Sequence, residues 1–262
     1  MSVNQNFFNE LQPSTYATRQ ASPEWKEAIE SLVTVQDHAV VDIGCGGGIY
    51  TKPMIELGAK QITCVDGSEV MLQGAKENLA NFSGVSFELG DATATPLQDE
   101  SADMVLERAL IHHLNRAQFR ENMTEVHRIL QTGGQVILQD RTLEDCFLPP
   151  SKEHIRGYFF SEFPQLKTVE KNRRYHSNTV VTELHQAGFH KIKIKTIWET
   201  RKVFNNREEL EEDLLNRTGR SILHDITDAE LRDMIDNIIS SYKPGEPIYE
   251  KDRWTIWVAE KA

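Results

Sequence analysis

Val40-Val41-Asp42-Ile43-Gly44-Cys45-Gly46-Gly47-Gly48 decides the reading of this chain. Together with Ala39, its first residues form a short apolar run that stops at a glycine cluster, the pattern of a buried strand feeding a tight turn. Glycines there let the backbone take positive φ and let a ligand approach without interference from a Cβ. The turn leads into a helix whose first N–H groups have no intrahelical partner and favour electron-rich ligand atoms. Asp66, at the end of the next strand, lies about 20 residues on, a spacing that suits two ribose hydroxyls. The combination predicts a nucleoside-containing cofactor. A dinucleotide fingerprint GxGxxG would need glycine at position 49, where Ile49 stands.

Outward from the turn, strand and helix patterns alternate. Strands are expected at Gln61–Asp66, Val85–Leu89, Asp103–Leu106, Gln135–Gln139, Phe189–Trp198 and Arg253–Glu260. Helices are expected after Ser68, after Asn115 with Gln118 as capping-box partner, and from Ser177 to a stop at Gly188. Asn206–Arg217 and Thr227–Tyr242 add two more, each with a capping box. Such alternation predicts an α/β fold, a mostly parallel sheet with helices on both faces. A single domain is expected: a helical lead-in over 1–36, a cofactor-binding core over 37–142, and cap insertions over 143–176 and 201–250. In the lead-in, Ser22-Pro23 reads as an N-cap with proline at the first helical position.

The composition bounds the function. At 262 residues with 39% apolar and 26% charged, the chain is long enough for one large core. No apolar run approaches the ~20 residues of a membrane span. The start, MSVNQNFFNELQPS, lacks a basic segment followed by an apolar one, so a soluble cytoplasmic protein is expected. Three cysteines with no CxxC pair argue against a disulfide framework and a zinc site, and no metal is expected. A net charge of −11 repels a phosphate polymer and disfavours nucleic acid as partner. Locally, 167–195 is basic, with Lys191, Lys193 and Lys195 alternating along a strand, the habit of a sheet edge.

The glycine turn and four later segments together resemble the class I S-adenosylmethionine-dependent methyltransferases. The turn has the form Asp-x-Gly-x-Gly-x-Gly. The later segments are Val65-Asp66-Gly67-Ser68-x-x-Met71-Leu72, Gly90-Asp91-Ala92-x-x-x-Pro96-Leu97 with Ser101-Ala102-Asp103, Ile111-His112-His113-Leu114, and Glu125-x-x-Arg128-x-Leu130-x-x-Gly133-Gly134. The nearest resemblance is to the type 11 methyltransferase domains of the ubiquinone and menaquinone C-methyltransferases, and it covers about residues 37–141. It implies a Rossmann-like seven-stranded sheet with a helical cap insertion. It also implies S-adenosylmethionine as cofactor, leaving S-adenosylhomocysteine as product. Gly44, Gly46 and Gly48 would border the methionine part, with Asp42 near its amino group. Asp66, followed by Gly67, would take the ribose hydroxyls; Met71 would pack on the adenine; Asp91 and the Ala92 backbone would meet the adenine amino group. Glu107 and Arg108 fall at the methionine end, and Tyr16 would close over the sulfonium or the substrate. Bland alternatives stand beside these: Asp66 as a helix cap, Asp91 as a turn acid, Met71 as core.

His112 and His113 fall where strand four ends, on the edge that faces ligands in open α/β sheets, and are the candidate general bases. Asp140 and Arg141 end strand five on the same edge, with pairing between them preferred over a hold on an acidic substrate. The expected function is methyl transfer from S-adenosylmethionine to a small molecule, with a homodimer as one assembly. The alternatives are an RNA or protein methyltransferase and a non-catalytic cofactor-binding protein.

Overall fold

A computed structural model of the chain describes residues 21–262. Helix α1 (Pro23–Leu32) starts at Ser22, whose hydroxyl accepts the Trp25 N–H at 3.4 Å, with Pro23 where its missing N–H costs nothing. Then follow β1 (Ala39–Ile43), α2 (Thr51–Glu56), β2 (Gln61–Asp66), α3 (Glu69–Asn78), β3 (Val85–Leu89) and β4 (Ala102–Arg108). A single 3₁₀ turn at Ile111–His113 leads to α4 (Arg116–Ile129) and β5 (Leu130–Asp140). Three short helices come next, α5 (Leu143–Cys146), α6 (Arg156–Glu162) and α7 (Leu166–Arg173). The chain continues through α8 (Ser177–Gln186), β6 (Phe189–Phe204), α9 (Arg207–Leu215), α10 (Asp228–Ser240) and β7 (Ile248–Lys261).

The seven strands form one sheet in the order β3-β2-β1-β4-β5-β7-β6. The pairs β2–β3, β1–β2, β1–β4 and β4–β5 are parallel, and β5–β7 is antiparallel. This is the Rossmann-like, mostly parallel sheet with helical insertion that the resemblance implies. Strand order reverses between β1 and β4, so the ends of these two strands border the crevice where open α/β sheets bind ligands. The central strands are buried on both faces and rich in apolar residues: Val40, Val41 and Ile43 in β1, Met104 to Leu106 in β4, Val136 to Leu138 in β5.

By contact density the chain divides into two compact units. The first runs through Asp140 and includes Ser177–Ile197 and Thr255–Ala262; the second is Arg141–His176 with Trp198–Trp254. The second has its own apolar core, with Phe159, Phe160, Leu214, Leu223, Met234 and Ile238 at its centre. None of the described helices is long and apolar enough to cross a membrane.

Several expected elements differ in extent. Strand β6 continues past Trp198 to Phe204, and β7 starts at Ile248. The cause is a set of buried ions that masks the strand period: Arg201 binds Glu250 at 2.6 Å, and Arg220 binds Glu250 at 2.7 Å. The stretch 143–176, without clean periodicity, holds three helices of four to eight residues, too short to show a repeat. The Asn206 cap forms, but Glu209 turns its side chain to the Asn205 N–H, so the reciprocal half of that box is absent. Thr227 with Glu230 and Asn115 with Gln118 make complete boxes.

Candidate active site

The turn after β1 takes the backbone its glycines were expected to provide. Gly44, Gly46 and Gly48 have φ of 71°, 52° and 75°. The N–H groups of Gly44 and Cys45 both donate to the Val65 carbonyl, at 2.7 and 3.2 Å, so the turn hangs from the end of β2. Asp66 secures its crest: Oδ2 accepts from the Gly46 N–H and Oδ1 from the Ser68 N–H, each at 2.9 Å. Burial raises the Asp66 pKa, and these backbone donors oppose the rise. Each carboxylate oxygen has a second lone pair that these bonds do not use.

Beneath the turn, Asp42 is buried and accepts from the Thr51 hydroxyl at 2.6 Å. Burial pushes its pKa up to about 7; the Thr51 bond opposes this, the nearby Asp66 adds to it, and Arg108 opposes it. On β4, Glu107 is buried, with Oε1 accepting from the Asn122 amide at 2.7 Å and Oε2 without a hydrogen-bond partner among the described residues. Burial raises its pKa to about 8. The same Asn122 amide donates to the Ala92 carbonyl at 3.0 Å, tying the loop after β3 to β4. Arg108 lays its guanidinium over the Tyr50 ring, 3.7 Å from the centroid.

Asp91 is exposed and accepts from the Thr93 N–H and hydroxyl at 2.8 and 2.6 Å, an Asx turn that shapes its loop. Met71 is buried at the start of α3, whose Ser68 cap accepts the Met71 N–H at 3.4 Å. Gly67 lies between Asp66 and that cap. Tyr16 lies outside the described residues.

At the ends of β4 and β5 the structure brings together a pair that the sequence reading kept apart. Asp140 Oδ2 accepts from His112 Nδ1 at 2.8 Å and from the His112 backbone N–H at 3.2 Å. The His113 ring lies against that of His112, centroids 3.9 Å apart. Asp140 thus serves His112, and Arg141 binds Asp252 at 2.9 Å. The Lys191, Lys193 and Lys195 amines reach Glu260, the Leu32 carbonyl and Ser31, at 2.7, 3.2 and 2.7 Å.

Thr51, Tyr50 and Asn122 are not among the site residues expected from sequence. Asn122 carried a signal: it interrupts the apolar stripe of Phe119, Met123 and Val126, and a polar residue on a buried stripe needs partners.

The turn leaves room for a ligand: among the described residues no atom lies within 4 Å of where a Cβ would stand at Gly46. Residues 40–134 match the family described as a methyltransferase domain. That match covers 95 of the 262 residues, and with a sheet of this order and a glycine turn held by an acid it supports a place in the class I S-adenosylmethionine-dependent methyltransferase superfamily.

Similar proteins include the ubiquinone biosynthesis O-methyltransferase of Rhizobium leguminosarum bv. trifolii, 31% identical over 138 residues, 51% of this chain and 53% of that protein. The tRNA (carboxymethyluridine(34)-5-O)-methyltransferase ALKBH8 of Mus musculus is 30% identical over 157 residues, 59% of this chain and 22% of that protein. The chain thus spans about half or less of the length of these relatives. Among solved structures, phosphoethanolamine N-methyltransferase 2 of Haemonchus contortus, in complex with S-adenosyl-L-methionine, is 15% identical with a TM-score of 0.63. The likeness covers 100% of this chain and 60% of that one, and shows the shared fold.

Proposed function

We propose that this protein transfers a methyl group from S-adenosylmethionine to a small-molecule acceptor. The observation that carries the reading is the Gly44–Gly48 turn, open at Gly46 and pinned there by Asp66. When bound, the cofactor supplies a methyl group made electrophilic by its sulfonium. Asp66, with Gly67 beside it, holds the ribose hydroxyls through its unused lone pairs. Met71, Asp91 and the Ala92 backbone take the adenine. Asp42, Gly44, Gly46, Gly48, Glu107 and Arg108 surround the methionine end, where buried carboxyls suit a positively charged guest. His112 removes the acceptor's proton: Asp140 takes its Nδ1–H, which fixes the tautomer that leaves Nε2 basic. His113 packs on that ring and limits its rotation.

A small acceptor is favoured over a polynucleotide by the net charge of −11 and by the lysine row, whose amines are engaged within the protein. The tRNA-modifying relative supports an RNA acceptor as the second reading. Isothermal titration with S-adenosylhomocysteine and with NAD tests the cofactor; binding of NAD alone overturns the proposal. Labelled methyl transfer, assayed on phenolic small molecules and on total tRNA, separates the two acceptor classes.

A further inference from the structure

Among the described residues the sheet has two edge strands, β3 and β6, and they are built differently. β6 carries Lys191, Lys193 and Lys195, whose amines are engaged within the protein, an arrangement that deters pairing with another chain. β3, Val85-Ser86-Phe87-Glu88-Leu89, holds neither lysine nor proline. It pairs with β2 on one side, and its outer side offers backbone N–H and C=O groups to a further strand. Leu89, a large apolar side chain, is 51% exposed there.

The surface beside this strand is apolar and bounded by opposite charges. Strand β3 and helix α3 line a groove of about 630 Å³. Val70, Phe87 and Leu89 give it apolar walls, and Glu69, Gln73 and Lys76 lie along its α3 side. Phe87 and Leu89 share one face of β3 with Val85, because alternate residues of a strand point the same way. The Lys76 amine stands 6.0 Å from the Phe87 ring centroid. Leu89 is in register with Asp66 of β2, three residues before Glu69. Glu69 therefore lies toward the Leu89 end of the strand, and Lys76, about two helical turns on, toward the Val85 end.

In its chemistry β3 is a palindrome. Set antiparallel to itself about Phe87, it places Val85 of one copy opposite Leu89 of the other, Ser86 opposite Glu88, and Phe87 opposite Phe87. Apolar meets apolar on one face, a hydroxyl meets a carboxylate on the other, and no like charges are opposed. The two-fold axis of such a pair is normal to the sheet, so both copies keep α3 on the same face. The Glu69 end of one α3 then lies beside the Lys76 end of the other, and symmetry repeats the contact. We propose that two copies of this chain associate through β3 and α3 into a two-fold dimer with one sheet continuous across both. The surface is independent of the cofactor reading above.

Sedimentation equilibrium of the full chain over about 1–200 µM tests this. The wild type should reach twice the chain mass. Leu89→Lys, at a position exposed in the single chain, should stay at the mass of one chain and still melt cooperatively. Charge reversal supplies a second measurement. Glu69→Lys alone, or Lys76→Glu alone, should weaken association about tenfold or more, since each sets like charges together twice in the dimer. The double variant Glu69→Lys/Lys76→Glu should recover wild-type association, which a mere loss of helix stability would not allow. A wild type at single-chain mass throughout overturns the proposal and leaves the groove to a different ligand. A dimer that Leu89→Lys leaves intact, or a double variant that associates no better than the single ones, overturns it as well. If Leu89→Lys does not fold, the charge series decides alone.

Discussion

Asp66 and Gly46 are twenty residues apart in sequence and joined by one 2.9 Å hydrogen bond, from the Gly46 N–H to the Asp66 carboxylate. The other carboxylate oxygen holds the Ser68 N–H. The alternatives of ribose ligand and helix-start cap therefore do not compete in geometry. One carboxylate shapes the turn and accepts at the start of α3, and its two oxygens carry more lone pairs than these bonds use. Asp66→Asn keeps one acceptor oxygen and replaces the other by a donor that opposes an N–H. Cofactor affinity should fall by on the order of 1–3 kcal/mol. The melting temperature should fall as well, because one backbone N–H then lacks its acceptor. Calorimetric titration and thermal denaturation of the same variant check both; unchanged affinity would remove the ribose role.

What could be read ahead of the structure followed from residue patterns that need no tertiary partner. Strands β2 and β3 begin and end where expected because each apolar run is bounded by turn residues, and Ser68 and Asn115 cap their helices by local bonds alone. The glycine turn was legible for the same reason. The Asp140–His112 contact was not, since 28 residues separate the partners. The stack of Arg108, Tyr50 and Trp25 joins β4, the end of the turn and α1, and only the folded sheet brings these together. The charged end of β6 was missed because its pattern is polar while Glu199 and Arg201 are largely shielded from solvent.

The Asp140–His112 bond predicts a separation of binding from turnover. Asp140→Asn presents an amide that can no longer hold His112 by a charge-assisted bond and can bind the wrong tautomer. Once an acceptor is known, kcat should fall by about 10²- to 10⁴-fold. Affinity for S-adenosylhomocysteine should stay within about twofold, since neither side chain is assigned to the cofactor. His112→Ala should lose a similar factor. Equal turnover in both variants and the wild type would dismiss the base.

The buried carboxyls predict opposite pH effects from the two units. In the first, the Asp42 and Glu107 pKa values are raised to about 7 and about 8, chiefly by burial. A raised carboxyl favours folding while it is protonated. Its contribution is therefore full below the unfolded value, near pH 4, and is lost as pH climbs toward 8. Glu107→Gln removes the charge yet keeps an oxygen for Asn122, so it should melt higher than wild type at pH 8.5, by on the order of 5 °C. At pH 4.5 the two should melt alike. In the second unit, arginines around Glu170 and Asp252 outweigh burial and hold both carboxyls well below the usual carboxylate range. Their contribution is present above pH 4 to 5 and is lost on further acidification. Melting curves from pH 3 to 9 check both limbs; a Glu107→Gln profile parallel to wild type would contradict the first.

Two glycines of the same turn should respond differently to the same substitution. Both Gly46 and Gly48 have positive φ, so alanine at either carries a left-handed strain of roughly 1–2 kcal/mol. At Gly48 the new methyl would also stand 2.7 Å from Leu79 Cδ1, a core side chain that is 2% exposed and must move. At Gly46 it would meet no atom of the described residues within 4 Å. Gly48→Ala should therefore lower the melting temperature more than Gly46→Ala. The order should reverse for cofactor binding, because the Gly46 methyl projects into the space assigned to the cofactor's tail, and a loss of tenfold or more in affinity is expected. Thermal denaturation without ligand and titration with S-adenosylhomocysteine measure the two effects separately. If Gly46→Ala bound S-adenosylhomocysteine as wild type does, the space above the turn would not be where the tail lies.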